Sequence, residues 1–299
     1  MRMHVGHLAL RATSVEASAT FLTEILGLRR TLEDGETIML SCNEKHHEIE
    51  LLAGPHAGID HLGLEVEQDE DLEALHAALV AAGAPILSDT PQEPGLRNAL
   101  RVLTPIGLVI ELYTGMEREP LSIEHYMPPL ARRFGHVTLV VKDRSEMERF
   151  LVDLLGFRVT DTLGDRAAWL RCDTDHHGVA LIAAGKEELH HYAFELENWG
   201  AMQHYADRLA FQGRTLVWGP GRHGPGRNLF TYLHDPDNTI VEAYADLLVV
   251  PDGANYVPID WDERGNAALN LWGPLPPDDW RSYGVPILAP GGDGAPASG

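Results

Sequence analysis

The stretch GHVTLV, residues 135–140, answers GHLAL at residues 6–10, and this echo decides how the chain is built. Working outward, FLTEILGL at 21–28 returns as FLVDLLGF at 150–157, at the same offset of 129 (150 − 21). SCNEKHHEIELLAG at 41–54 answers RCDTDHHGVALIAAG at 171–185, IDHLGLEV answers LHHYAFEL, and PIGLVIELY answers PDNTIVEAY. The order never changes and the offset grows only to 131 (242 − 111), so the chain is an internal duplication.

Each half divides again. After its opening strand, the first half shows a helical stripe of Phe21, Leu22, Ile25 and Leu26 closed by Gly27, where a left-handed residue is cheapest. Phe150, Leu151, Leu154, Leu155 and Gly156 repeat it. Three short strand-like runs follow before a new strand and helix begin at Ile59 and Asp69. The expected fold is α+β: four βαβββ modules, two in residues 1–114 and two in 133–246, as two tandem domains. Residues 115–132 read as a Pro-containing linker. Residues 247–299 read as a tail whose end, APGGDGAPASG, is expected to be disordered.

Composition narrows the function. A net charge of −22 over 299 residues lacks the basic footprint that nucleic acid or an anionic membrane requires. No apolar run approaches a membrane span, and the start carries no secretory pattern, so a cytoplasmic location is the expectation. Cys42 and Cys172 fall at matching points of the repeat and read as reduced, buried strand residues rather than a disulfide framework. The remaining signal is the 16 histidines.

Period two orients several of them. In HVTLVV, Val137, Leu139 and Val141 form the face a helix covers, leaving His136 with Thr138 on the other. In HHYAFEL, Tyr192, Phe194 and Leu196 face the helix, which puts His191 in the concave cup and turns His190 away from it. Glu242, flanked by Val241 and Ala243, also faces the cup. Two imidazoles and one carboxylate make the facial triad that holds non-haem Fe(II) with open positions; Mn(II) suits the same ligands. They leave a divalent ion one net positive charge, which favours a ligand binding as a monoanion, such as a catechol.

His177, His223 and Tyr232 then stand at spacings of 14 (191 − 177), 9 (232 − 223) and 10 (242 − 232). With these the second half, and the two-half layout, resemble the type I extradiol catechol dioxygenases of the vicinal oxygen chelate (glyoxalase-like) superfamily, particularly the catechol and homoprotocatechuate 2,3-dioxygenases. The resemblance implies ring cleavage of a catechol by O2 to a semialdehyde-type product in aromatic hydrocarbon catabolism, and a homo-oligomer. It implies His177 as the acid–base group, with His223 and Tyr232 as hydrogen-bonding partners of the substrate oxygens. His176, His190 and His234 read as structural.

The first half keeps His7, His61 and Glu111 at triad-equivalent positions, and His47 matches His177. A one-residue gap puts Gln92 near the place of His223 and Arg101 at that of Tyr232, so the set reads as a vestigial second metal site. In the homoprotocatechuate enzymes the tail folds over the active site and supplies arginines to a substrate carboxylate, so the resemblance implies that part of this tail covers the active site. Here Ala268, Leu269 and Trp218 stand at those places, which points to a neutral, apolar-substituted or bicyclic catechol lined by Trp169 and Trp218. Two other classes share the module: glyoxalase- or epimerase-type metalloenzymes and non-catalytic small-molecule binders.

Overall fold

The computed structural model describes residues 1–121 and 131–290. The first half contains β1 (Met3–Ala12), α1 (Val15–Leu26), β2 (Arg29–Asp34), β3 (Thr37–Ser41), β4 (Ile49–Ala53), β5 (Gly58–Val66), α2 (Asp69–Ala81), β6 (Ile86–Ser88), β7 (Asn98–Leu103) and β8 (Val109–Thr114). The second half repeats them. It contains β9 (Ala131–Val141), α3 (Arg144–Arg149), β10 (Arg158–Leu163), β11 (Ala167–Arg171), β12 (Val179–Ala183), β13 (Glu188–Leu196), α4 (Trp199–Phe211), β14 (Trp218–Arg222), β15 (Leu229–His234) and β16 (Ile240–Ala245). Two short tail strands, β17 (Ile259–Asp260) and β18 (Val285–Pro286), pair with β10 and β13. No helix among the described residues is long and apolar enough to cross a membrane.

Each half forms one sheet, ordered β2-β3-β4-β1-β5-β8-β7-β6 in the first and β10-β11-β12-β9-β13-β16-β15-β14 in the second. The first strands of the two modules pair antiparallel, β1 with β5 and β9 with β13. Helices cover one face. Ser14 caps α1 by accepting the N–H of Ala17, and Gly27 closes it at φ 76°. Phe21, Leu22, Ile25 and Leu26 are buried with the alternate residues Leu8 and Leu10 of β1 in the main core. The second-half counterpart differs: a π-turn over Phe150–Leu154 continues α3, and Leu154 is left half-buried while Leu155 is buried.

The expectation that both cysteines are buried strand residues needs correction. Both are free, but each lies one residue past its strand, and only Cys42 is buried. The linker stretch 122–130 and the tail end 291–299, expected to be disordered, lie outside the described residues.

Candidate metal centre and active site

Gly135 comes before His136 for a packing reason. A Cβ there would sit 1.9 Å from the Tyr244 hydroxyl, and in the first half a Cβ on Gly6 would sit 2.0 Å from that of Tyr113. The tyrosine of the last strand thus lies against the first strand, bringing β16 and β9 to one site across β13. In register, Ala193 of β13 stands between His136 and Glu242, and Tyr232 pairs with Glu242.

The three residues expected to bind metal converge. Nε2 of His136 lies 3.0 Å, and Nε2 of His191 3.2 Å, from Oε2 of Glu242, and all three side chains are buried. Adjacent ligands of one ion at about 2.1 Å stand about 3 Å apart, so the donor atoms are spaced as a metal requires. The other carboxylate oxygen, Oε1, accepts from Asn228 Nδ2 at 3.0 Å, which leaves Oε2 for the triad. Burial alone would raise the Glu242 carboxyl, yet the two imidazoles hold it well below its ordinary range.

His190 corrects the period-two reading. Leu189 pairs with Leu139 and His191 with Thr138, so one extra residue bulges between them, and His190 shares the cup side with His191. Its Nε2 lies 3.0 Å from the Trp280 carbonyl, which can only accept, so Nε2 carries the proton. Nδ1 of His190 then accepts from Nδ1–H of His191 at 2.8 Å, leaving Nε2 of His191 bare toward Glu242. This is the tautomer a metal ligand needs, fixed by a residue that had seemed structural.

Tyr232 and His223 form a second chain. The Leu269 carbonyl accepts from His223 Nδ1–H at 2.6 Å, so His223 Nε2 accepts from the Tyr232 hydroxyl at 2.9 Å. Burial pushes His223 down to about 4 and Tyr232 well up, keeping both neutral. The His177 ring lies 4.5 Å from that of His136, and burial, with His136 nearby, holds it well below the usual imidazole range. His234, read as structural, bonds the Asn238 carbonyl and meets Tyr283 of the tail edge-on at 4.7 Å.

All six residues line one cleft of about 580 Å³, together with Trp169, Trp218, Ala268 and Leu269. Strands from β11 to β15 contribute to it, so the second sheet curls around the site. Trp218 stacks on Tyr232 at 5.5 Å, and Trp280 of the tail meets Tyr232 edge-on at 4.7 Å. An outer chamber of about 690 Å³ shares Trp169, Leu269 and Trp280 and adds Val140, His190 and Ala184, with Arg166 and Arg281 also on its wall. Among the described residues, no Lys or Arg lines the inner cleft.

In the first half, His7, His61 and Glu111 also converge. Gln92, expected near the place of His223, is turned out to bond Ser88; the neighbouring Glu93 points in. No gap is needed there, since 223 − 93 = 130 matches the surrounding offset. Arg101 pairs with Glu111 as Tyr232 pairs with Glu242. Where Trp169 faces Ala180 across β11 and β12, the first half has Met39 facing Glu50.

The model of the Glyoxalase/Bleomycin resistance protein/Dioxygenase superfamily matches residues 4–112 and 133–243, well over half of the chain. The chain belongs to that superfamily. Among curated members of known activity, it is 28% identical to a manganese-dependent 2,3-dihydroxybiphenyl 1,2-dioxygenase of Geobacillus genomosp. 3, over 96% of this chain and 95% of the relative. It is 23% identical to an iron-dependent extradiol dioxygenase of Rhodococcus jostii, covering 90% and 95%. The solved homoprotocatechuate 2,3-dioxygenase of Arthrobacter globiformis superposes with a TM-score of 0.89 at 26% identity, covering 99% of this chain and 95% of that one. The superfamily's paired-module architecture is the one described above, which bears out the expected fold.

Proposed function

We propose that this chain is an extradiol dioxygenase that opens the ring of a catechol beside its two hydroxyls and inserts both atoms of O2, giving a semialdehyde-type product. The observation that carries this reading is the buried His136–His191–Glu242 triad at the floor of a cleft that also holds His177, His223 and Tyr232. The names of the relatives support it. A glyoxalase- or epimerase-type reaction would not need the last three residues together, and a passive binder would not need the triad.

His136, His191 and Glu242 would hold a divalent ion, which acidifies the catechol hydroxyls and lets electron density pass from ring to dioxygen. Fe(II) is the proposed ion and Mn(II) the alternative; the relatives named above include one of each dependence. His177 takes the second hydroxyl proton at Nε2 and later returns it to an oxygen of the opening ring. Tyr232 would accept from a substrate hydroxyl while its own O–H donates to His223 Nε2, so that His223 acts through Tyr232, and Trp218 and Trp280 exclude water from above them. The inner cleft favours a neutral substituent, and a second ring would lie in the adjoining, largely apolar chamber. A cytoplasmic homo-oligomer is the accompanying expectation.

The test is oxygen uptake, with formation of a yellow product, on catechol, 3-phenylcatechol and a carboxylated catechol, each with Fe(II)- and Mn(II)-loaded protein. Inactivity on every diol with either ion overturns the reaction. Faster turnover of the carboxylated diol overturns the substrate class.

A further inference from the structure

We propose that the first-half cup holds a second divalent transition-metal ion, ligated by His7, His61, Glu93 and Glu111 and bound for structure rather than for ring cleavage. One ligand atom from each of these four buried residues lies within 4.8 Å of all the others. His7 Nε2 is 3.2 Å from His61 Nε2, 3.2 Å from Glu93 Oε2 and 3.4 Å from Glu111 Oε2. Bonds of about 2.1 Å to one central ion place neighbouring donors about 3.0 to 3.4 Å apart, from octahedral to tetrahedral geometry.

The surroundings prepare each donor. Asp60 Oδ1 accepts from His61 Nδ1–H at 3.0 Å, the carboxylate–imidazole pairing found behind metal-bound histidines, and turns His61 Nε2 to the cluster, where it lies 3.2 Å from His7 Nε2 and 2.5 Å from Glu93 Oε1. Arg101 stands at the edge of the cluster, with Nη2 3.4 Å from His61 Nε2. Its Nε donates to Oε1 of Glu111 at 2.8 Å and its Nη2 to Oε1 of Glu93, so that Oε2 of each carboxylate turns toward His7. Asn228 holds the outer oxygen of Glu242 in the same way. Oε2 of Glu111 is buried and, among the described residues, has no hydrogen-bond partner, with His7 Nε2 beside it at 3.4 Å, the mark of an atom whose partner is something else.

The chemistry of the ion follows from the donors. Two imidazoles with two carboxylates suit first-row ions from Mn(II) to Zn(II) rather than Mg(II) or Ca(II), which take oxygen alone. Two carboxylates also neutralise the dication, whereas the triad leaves one positive charge for a substrate anion. The positions that line the second-half cleft are occupied differently here. Met39, Glu50 and Arg101 stand where Trp169, Ala180 and Tyr232 line the second-half cleft, and His47 is engaged with Glu93 at 3.1 Å.

Metal counting by plasma mass spectrometry separates the sites without reference to activity. Protein is stripped, reloaded with Mn(II) and desalted. Wild type is expected to hold two ions per chain, the His136→Ala/Glu242→Ala protein one, Glu93→Gln/Glu111→Gln one, and the quadruple variant none. One ion in wild type and none in His136→Ala/Glu242→Ala overturns the proposal. If the first-half variants do not fold, the His136→Ala/Glu242→Ala protein decides alone: one retained ion and a Tm that rises with Mn(II) support the site, and no ion with an unmoved Tm refutes it. Neither result depends on the reaction proposed for the other cup.

Discussion

Nδ1 of His176 lies 3.1 Å from Nδ1 of His177, and one proton serves the two nitrogens. Behind them His176 Nε2 accepts from the backbone N–H of Gly226 at 3.2 Å and also lies 3.1 Å from Asp161 Oδ2, which itself accepts from Trp261 of the tail at 2.7 Å. With Nδ1 of His177 taken up by His176, Nε2 is the nitrogen that His177 turns to the cleft.

That nitrogen is the proposed base. Replacing it, as in His177→Phe, is expected to lower kcat by about two to four orders of magnitude while the metal content per chain stays at the wild-type value. Turnover unchanged within threefold removes the assigned role.

His190 fixes the ligand tautomer of His191, so His190→Leu is expected to weaken metal binding at the triad by about 10- to 100-fold. Competition titration of the stripped protein against a chromogenic chelator reads this directly. An equal Kd in both proteins means the bulge is only a packing feature.

Trp169 lines both chambers, between the reacting centre and the space assigned to a second ring. Trp169→Ala is expected to raise KM for 3-phenylcatechol about tenfold more than for catechol, which corresponds to roughly 1.4 kcal/mol of lost apolar contact. Equal changes for the two substrates place the ring elsewhere.

Gly135→Ala is expected to destabilise the protein by about 1–3 kcal/mol, because the added methyl meets the Tyr244 ring and hydroxyl in a packed interior. Tyr244→Phe is expected to be close to neutral, since that buried hydroxyl has no partner to lose. Urea unfolding of the two variants checks both, and the reverse ranking contradicts the packing argument.

His223 supplies a pH test. Its folded value near 4 lies below the unfolded value of about 6.5, so the unfolded chain binds the extra proton in that window. Its share of stability is present above pH 6.5 and is lost as pH falls toward 4. His223→Gln lacks this term, and the Tm gap between the stripped wild-type and variant proteins is expected to close over that interval. Parallel curves are the contrary outcome.

Duplication and period two made the modules, the triad and its facing side legible in the sequence, because both act through repeated covalent geometry. They failed where geometry is locally irregular. The bulge reversed His190, and a one-residue gap placed before Gln92, although it falls between Asn98 and Arg101, hid Glu93 behind Gln92. Asn228 had a signal, the RN pair shared with Arg97 and Asn98, but its bond to Glu242 is a loop contact. Trp261 and Trp280 were illegible as functional residues, since they lie in a tail with no period to read, and nothing on β10 marks Asp161 as the residue that meets His176.

That tail gives the enzyme an unusual coupling. The carbonyls of Leu269 and Trp280 set the protons on His223 and His190, and the same two residues line both chambers. A product leaving past them would pull away the acceptors that keep the imidazoles poised, so each such departure would reset the catalyst as well as empty it.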